Sequence, residues 1–263
     1  MKKLKNILWI VALIIVICLI GVIVCGYVKK VTFKKQNPVA TIEVENFGTI
    51  KVELYPDQAP ETVSNFISLA NRGFYDGTKF HRIVKDFMIQ AGSKGGDGTT
   101  SAKLSDLKDG GEDKEYSIKG EFVSNSVNNT IRFEEGVIAM ARADYTTYYP
   151  SLSEESYNSG CSQFFIMTKE NASLNGYYAA FGKVTEGMDI VHNIENVEVK
   201  AADNSSESGN TEVSTPVNPP VVTSIRVETY GIDYGLPNTL EPFDFNSWIY
   251  SQYYNQSTSS SAE

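Results

Sequence analysis

Phe80-His81-Arg82-Ile83-Val84-Lys85-Asp86-Phe87-Met88-Ile89-Gln90 is the stretch on which the reading of this chain turns. It holds two short runs, 80–84 and 87–90, built largely from aromatic and β-branched residues. Such runs suit a pleated, half-buried surface. Each carries a polar group that an apolar strand has no need of, Arg82 in the first and Gln90 in the second. On strand alternation His81 faces away from Arg82 and reads as structural.

Upstream, residues 39–45 and 49–55 alternate with period two around Asn46-Phe47-Gly48, the pattern of a hairpin. Pro60 then opens a helix whose Val63, Phe66, Ile67 and Ala70 form one apolar stripe, with Gly73 past its end. Downstream, strands are predicted at 136–141, 163–168, 179–184 and 221–230, and a second short helix at 186–194. The last strand is expected to close the sheet onto the first. Residues 92–114 are rich in Gly, Asp, Ser and Lys and read as a long surface loop; 200–220 are poor in apolar residues and read as a flexible excursion. Many short strands with two helices predict a mainly β fold, a closed antiparallel barrel capped by the helices.

The ends of the chain differ from this body. Residues 1–6 are a short basic tail, and 7–28 run for 22 residues without a charge. At about 1.5 Å per residue that reaches about 33 Å, enough for a hydrocarbon core of about 30 Å. A secretory signal has a shorter apolar stretch, so an uncleaved transmembrane signal-anchor is expected. Lysines flank the span on both sides and give almost no orientation signal. A single N-terminal span with a short tail most simply exports the chain beyond it, so the body is placed outside the cell membrane. Residues 29–37 form a linker, 38–233 the folded domain, and 234–263 a tail expected to be loose from about residue 252.

Of the 23 basic residues, seven lie within the first 35, leaving 16 against 32 acidic residues in the remainder. So acidic a body argues against nucleic acid as a partner. The two histidines, His81 and His192, have no companions at zinc-ligand spacing, and no phosphate-binding or hydrolase motif is present. Cys161, between Gly160 and Ser162, reads as packing rather than as a nucleophile.

Four segments in order then point to a family. Residues 80–90 resemble the cyclophilin signature F-H-R-[IV]-[IV]-x-x-F-M-[IVC]-Q nearly position for position. Residues 136–142 (GVIAMAR) resemble the strand that ends in M-A-[NR], 162–166 (SQFFI) match S-Q-F-F-I, and 174–184 (LNGYYAAFGKV) resemble L-D-G-x-[HY]-x-x-F-G-x-V. The resemblance covers residues 38–233 apart from the two inserts. It implies an eight-stranded barrel and a peptidyl-prolyl cis-trans isomerase that needs no cofactor and no metal. Proline-containing segments of unfolded or exported proteins would be its substrates.

The resemblance also assigns roles. Arg82, Phe87 and Gln90 would be catalytic, Arg82 donating to the prolyl nitrogen as the amide twists and Gln90 reaching the substrate backbone. Met88, Phe165, Leu174 and Tyr178 would line the proline pocket with Phe87. Gln163 would support Arg82 or line the cleft, and Ala141 and Arg142 would offer backbone groups to an extended substrate. Two positions depart from the family pattern: Ser173 stands where many members carry Trp, and Tyr178 where many carry His. Loss of the indole removes a flat wall and a donor, so weak binding of cyclosporin-like inhibitors is expected. Arg142, in place of a frequent Asn, adds a charge that would favour acidic substrate flanks. The alternatives to a foldase are a non-catalytic proline-peptide-binding or scaffold module of the same fold, and ligand binding inside the barrel.

Overall fold

The computed structural model describes residues 9, 13–22, 36–201 and 212–259, in two units, Met1–Gln36 and Asn37–Glu263. In the first, residues 13–22 are helical and exposed. The rest of the expected 7–28 span, apart from residue 9, lies outside the described residues, as does most of the linker. Among the described residues no helix is long and apolar enough to cross a membrane.

The second unit is built on one curled antiparallel sheet. Its strands are β1 (Val39–Val44), β2 (Gly48–Leu54), β3 (Arg82–Val84), β4 (Met88–Ala91), β6 (Val137–Met140), β7 (Phe164–Met167), β8 (Ala180–Glu186) and β11 (Val222–Glu228). They lie in the order β11-β1-β2-β8-β6-β7-β4-β3. The predicted hairpin forms β1 and β2, and the last predicted strand, β11, pairs with β1 from Val39↔Glu228 to Val44↔Val222.

Full closure of the barrel is where the sequence reading needs correcting. β3 and β11, the two ends of the order, do not pair as strands. Instead the residues ahead of each meet at a seam, with a bridge between Lys79 and Val221 and bonds from Phe80 N to Pro220 O (2.9 Å), Gly77 N to Val222 O (2.8 Å) and Val222 N to Thr78 O (2.8 Å). Pro219 and Pro220 lack amide donors, which keeps a regular ladder from running on through this point.

Alternation sends Ile42, Ile50, Val52, Leu54, Ile83, Ile89, Ile138, Phe164, Ile166, Phe181 and Ile225 inward, where they are fully or almost fully buried. These side chains fill the interior with apolar groups. Helices α1 (Pro60–Asn71) and α4 (Met188–Glu195) add Phe66, Leu69, Val191 and Ile194 to the same core. Ala59 offers α1 no side-chain cap, and a residue from far along the chain replaces it. The buried Glu121 carboxylate accepts from Glu61 N (3.0 Å), Thr62 N (2.8 Å) and Thr62 Oγ1 (2.7 Å), placing a negative charge at the positive end of the helix.

Both inserts carry more order than their composition suggests. In 92–114 a short helix, α2 (Leu104–Leu107), is tied to the end of α1 by Arg72, which pairs with Asp109 (2.6 Å) and donates to Asp106 O (3.0 Å). In 200–220, β9 (Val199–Ala201) and β10 (Val213–Pro216) form a two-stranded sheet, and 202–211 lie outside the described residues. The reading of one flexible excursion therefore gives way at Val213-Ser214-Thr215, whose Ser214 is buried.

The tail is also structured. β12 (Thr239–Leu240) pairs with β5 (Ser117–Ile118), and α5 (Phe245–Ser259) follows. An aromatic cluster holds the start of α5 against residues 145–149, in the loop that precedes the short helix α3 (Ser153–Tyr157). Phe245 stacks on Tyr145 at 4.7 Å, and Trp248 meets Tyr149 edge-on at 4.9 Å.

Candidate active site

The signature stretch folds as a tight hairpin, β3 and β4, turned at Asp86 with φ of +56°. The turn is anchored from outside. Asp86 N donates to Glu195 Oε1 on α4 (2.7 Å), and Glu195 Oε2 meets His192 Nδ1 at 3.0 Å. His192 Nε2 in turn lies 2.8 Å from Glu135 Oε1. The Glu195 and Glu135 carboxylates hold the His192 pKa above its ordinary value.

Strand register decides which side chains meet. Arg82 is opposite Gln90, Gln90 opposite Phe165, and Phe165 opposite Ala139. These four form one row across β3, β4, β7 and β6 on the face turned away from the core. One pleat further, Val84, Met88 and Met167 form a parallel row. The face is apolar in its own right. Met88, Phe133, Val137, Ala139, Phe165, Met167 and Ala180 form a second buried cluster, with Phe87, Ala141, Leu174 and Tyr178 packed against it.

Its aromatic floor is close-packed. Phe133 stacks on Phe165 at 6.1 Å, and Tyr178 stands edge-on to Phe165 at 5.6 Å. Phe133 was missed in the sequence, where it follows Ile131 in a largely polar loop; the bond from its amide to Asn175 Oδ1 (2.9 Å) pins it beside Leu174. Ser173 is exposed and its hydroxyl donates to Oδ1 of Asn171, which caps the turn, so it adds no wall.

The polar side of the row is a chain of amides. Arg82 Nη1 lies 3.4 Å from Gln90 Oε1 and 3.9 Å from Met88 Sδ. Gln90 Nε2 donates to Gln163 Oε1 (2.9 Å), and Gln163 Nε2 donates to Gly98 O (2.8 Å). Gln163 thus reaches Arg82 only through Gln90. Gly98 has φ of +83°, and a Cβ there would stand 2.9 Å from His81 Cδ2, so the position suits glycine alone. The His81 ring lies against this same Gly98. Burial lowers the ring's pKa, and its Nδ1 is buried without a hydrogen-bond partner.

The other two nitrogens of Arg82 face a carboxylate. Nε and Nη2 each bind a carboxylate oxygen of Glu212 at 2.7 Å. Arg82 in turn holds the Glu212 pKa below its ordinary value. This partner, 130 residues away in the chain, could not be anticipated from sequence. Arg142 is likewise committed. It donates to Tyr177 O (3.0 Å), Ala143 O (3.1 Å) and Ser156 Oγ (2.9 Å), and lies over the Tyr178 ring at 4.5 Å. These partners are all uncharged, so they fix where the guanidinium sits and leave its charge in place. Cys161 is buried, its thiol pushed up to about 12, consistent with packing.

A groove of about 410 Å³ runs from Gln90, Gln163, Ala141 and Arg142 towards Glu115, Tyr145 and Phe243. Ala141, which packs against the aromatic floor, also lines this groove. The family profile described as cyclophilin type peptidyl-prolyl cis-trans isomerase/CLD matches residues 39–220. The chain belongs to the cyclophilin family.

Relatives of this cyclophilin include peptidyl-prolyl cis-trans isomerase B of Bacillus subtilis, 38% identical over 156 residues, which cover 59% of this chain and 90% of the relative. Another is peptidyl-prolyl cis-trans isomerase cyp18 of Streptomyces antibioticus, 34% identical over 197 residues, covering 72% and 98%. Among solved structures, a Cryptosporidium parvum cyclophilin crystallised in the presence of the dipeptide Ala-Pro superposes with a TM-score of 0.54 at 25% identity, covering 72% of this chain and 98% of that one. As a cyclophilin, the domain is a peptidyl-prolyl cis-trans isomerase.

Proposed function

We propose that the Arg82–Gln90–Phe165 row is the catalytic face of this isomerase, and that it serves exported proteins at the outer face of a membrane to which residues 7–28 anchor it. The register that sets a guanidinium, an amide and a buried phenyl ring side by side, next to an apolar floor, is the observation that carries the catalytic part. The Ala-Pro dipeptide in the Cryptosporidium relative supports a proline-containing peptide as the occupant. The anchor rests on the uncharged run 7–28 alone.

Amide resonance sets a barrier of about 18–20 kcal/mol, so an X–Pro bond left alone turns over in tens to hundreds of seconds. Turnover in about a millisecond needs about 5.5–7 kcal/mol off that barrier. No bond has to break. The floor of Phe165, Phe133, Met88, Leu174 and Tyr178 receives the proline ring, with Phe87 at its edge. Ala141 N is spent on Gln163 O (2.9 Å), which leaves the Ala141 carbonyl and the Arg142 amide to pair with the substrate strand. Gln90 meets the substrate backbone.

As the amide twists, the prolyl nitrogen loses conjugation and gains a lone pair. A guanidinium N–H donated to that lone pair stabilises the twisted state and not the planar one. Such a charge-assisted bond supplies about 1.5–3 kcal/mol, and orientation and desolvation in the cleft supply the remainder.

A second reading, a peptide-binding module without catalysis, draws on the bidentate pair with Glu212, which offsets the Arg82 charge. A proline-tetrapeptide isomerisation assay on wild type and Arg82→Ala separates the two. Loss of at least ten-fold in kcat/KM is expected for the catalytic reading, and equal rates leave the binding module. A topology reporter fused after residue 35 tests the outward placement of the domain.

A further inference from the structure

Arg82 is held from two sides. Gln90 approaches Nη1 at 3.4 Å, a long contact, while Glu212 takes Nε and Nη2 at 2.7 Å each, a planar bidentate pair. Glu212 leads into β10, which is fixed by its pairing with β9 and by the buried Ser214 two residues on. The carboxylate is thus delivered by a structured element.

The pair has a consequence for the reaction. The carboxylate takes two of the five guanidinium N–H groups, one on Nε and one on Nη2, and its charge opposes the positive field that favours a developing lone pair. Both side chains of the pair are partly open to solvent, at 36% and 46%, so the pair is loose enough to exchange.

We propose that Glu212 is an intramolecular competitor for the Arg82 guanidinium, holding two of its N–H groups and damping its charge while a substrate amide twists. This rests on Arg82 doing the chemistry. Ground-state substrate does not call on Arg82, so the competition is felt in kcat and hardly in KM. The pair is partly exposed, so its grip weakens with salt.

The test is a kinetic comparison of the full chain with Glu212→Gln, which keeps the volume and removes the charge, and Glu212→Ala, which removes the group. An uncharged proline tetrapeptide is the substrate. Both variants are expected to raise kcat about two- to five-fold, the factor an exposed ion pair is worth, with KM little changed. Wild-type kcat should climb with added sodium chloride, and the variants should not. An unchanged or lowered kcat in the variants overturns the proposal; a lowered one would make Glu212 a positioning residue for Arg82. Arg82→Ala, alone and with Glu212→Gln, separates the two claims. If both Arg82 variants stay fully active, the catalytic reading itself fails. If they are inactive while Glu212→Gln equals wild type, only the competitor fails.

Discussion

Gln163 offers the sharpest test of how the site is organised, because it touches neither Arg82 nor the aromatic floor directly. Its amide receives Gln90 Nε2 (2.9 Å) and donates to Gly98 O (2.8 Å), which fixes which end of each amide faces which neighbour. Gln90 must then present Oε1, not Nε2, to the guanidinium. Replacing Gln163 with Ala removes both bonds and frees Gln90 to turn over. Each neutral hydrogen bond is worth about 0.5–1.5 kcal/mol net, and only the part that orients Gln90 is transmitted to Arg82. A loss of about 1 kcal/mol in transition-state stabilisation corresponds to about five-fold in kcat, with KM nearly unchanged. The assay is tetrapeptide isomerisation on Gln163→Ala, Gln90→Ala and the double variant, with denaturant unfolding to check stability. If Gln163 acts through Gln90, the double variant should be no worse than Gln90→Ala alone. Additive losses, or an unaffected Gln163→Ala, would refute the relay.

The same geometry sets further outcomes. Phe165→Ala removes the ring on which Phe133 and Tyr178 pack, and should lower kcat/KM about ten- to a hundred-fold, from about 1.5–3 kcal/mol of apolar burial. Asn65→Ala leaves the Tyr116 hydroxyl and Cys161 O without their buried partner, at 2.7 and 2.6 Å, and should cost about 2–5 kcal/mol in urea unfolding. His192 has a pKa raised above 6.5 by Glu195 and Glu135, so its contribution is whole below that pH and is lost as pH rises through the raised value. The melting temperature of His192→Ala should therefore lie below wild type at pH 6 by a few degrees, about 1 kcal/mol at most, and the gap should close by pH 9. Because Ser173 offers neither wall nor indole donor, cyclosporin should bind far above nanomolar while isomerase activity is kept; nanomolar inhibition would contradict this.

The sequence disclosed the frame of the site because its elements are local. Period-two alternation marks β1, β2 and β11, and Arg82, Gln90, Phe165 and Gln163 lie in short motifs that fix their register. What it could not disclose depends on distant contacts. Phe133 joins the floor through Asn175, and Glu212 reaches Arg82 from an insert that composition alone marks as loose. Arg142 looked like a free side chain because nothing in its neighbourhood announces Tyr178 beneath it. The start of α5 is held by rings from two separate segments, a cause invisible to any single window of sequence. The barrel was expected to close by regular pairing, but consecutive prolines at 219 and 220 replace the ladder with a seam.

The antiparallel pairing of the first and last strands carries a consequence for engineering. Val39 is opposite Glu228, so the backbone enters and leaves the sheet at one point. A few residues joining those positions would circularise the domain, and new ends could be opened in a surface turn such as Gly110-Gly111 without cutting any strand of the main sheet. The same coincidence makes this unit suited to grafting into a loop of a host protein, since the host need span only the gap between two neighbouring strands.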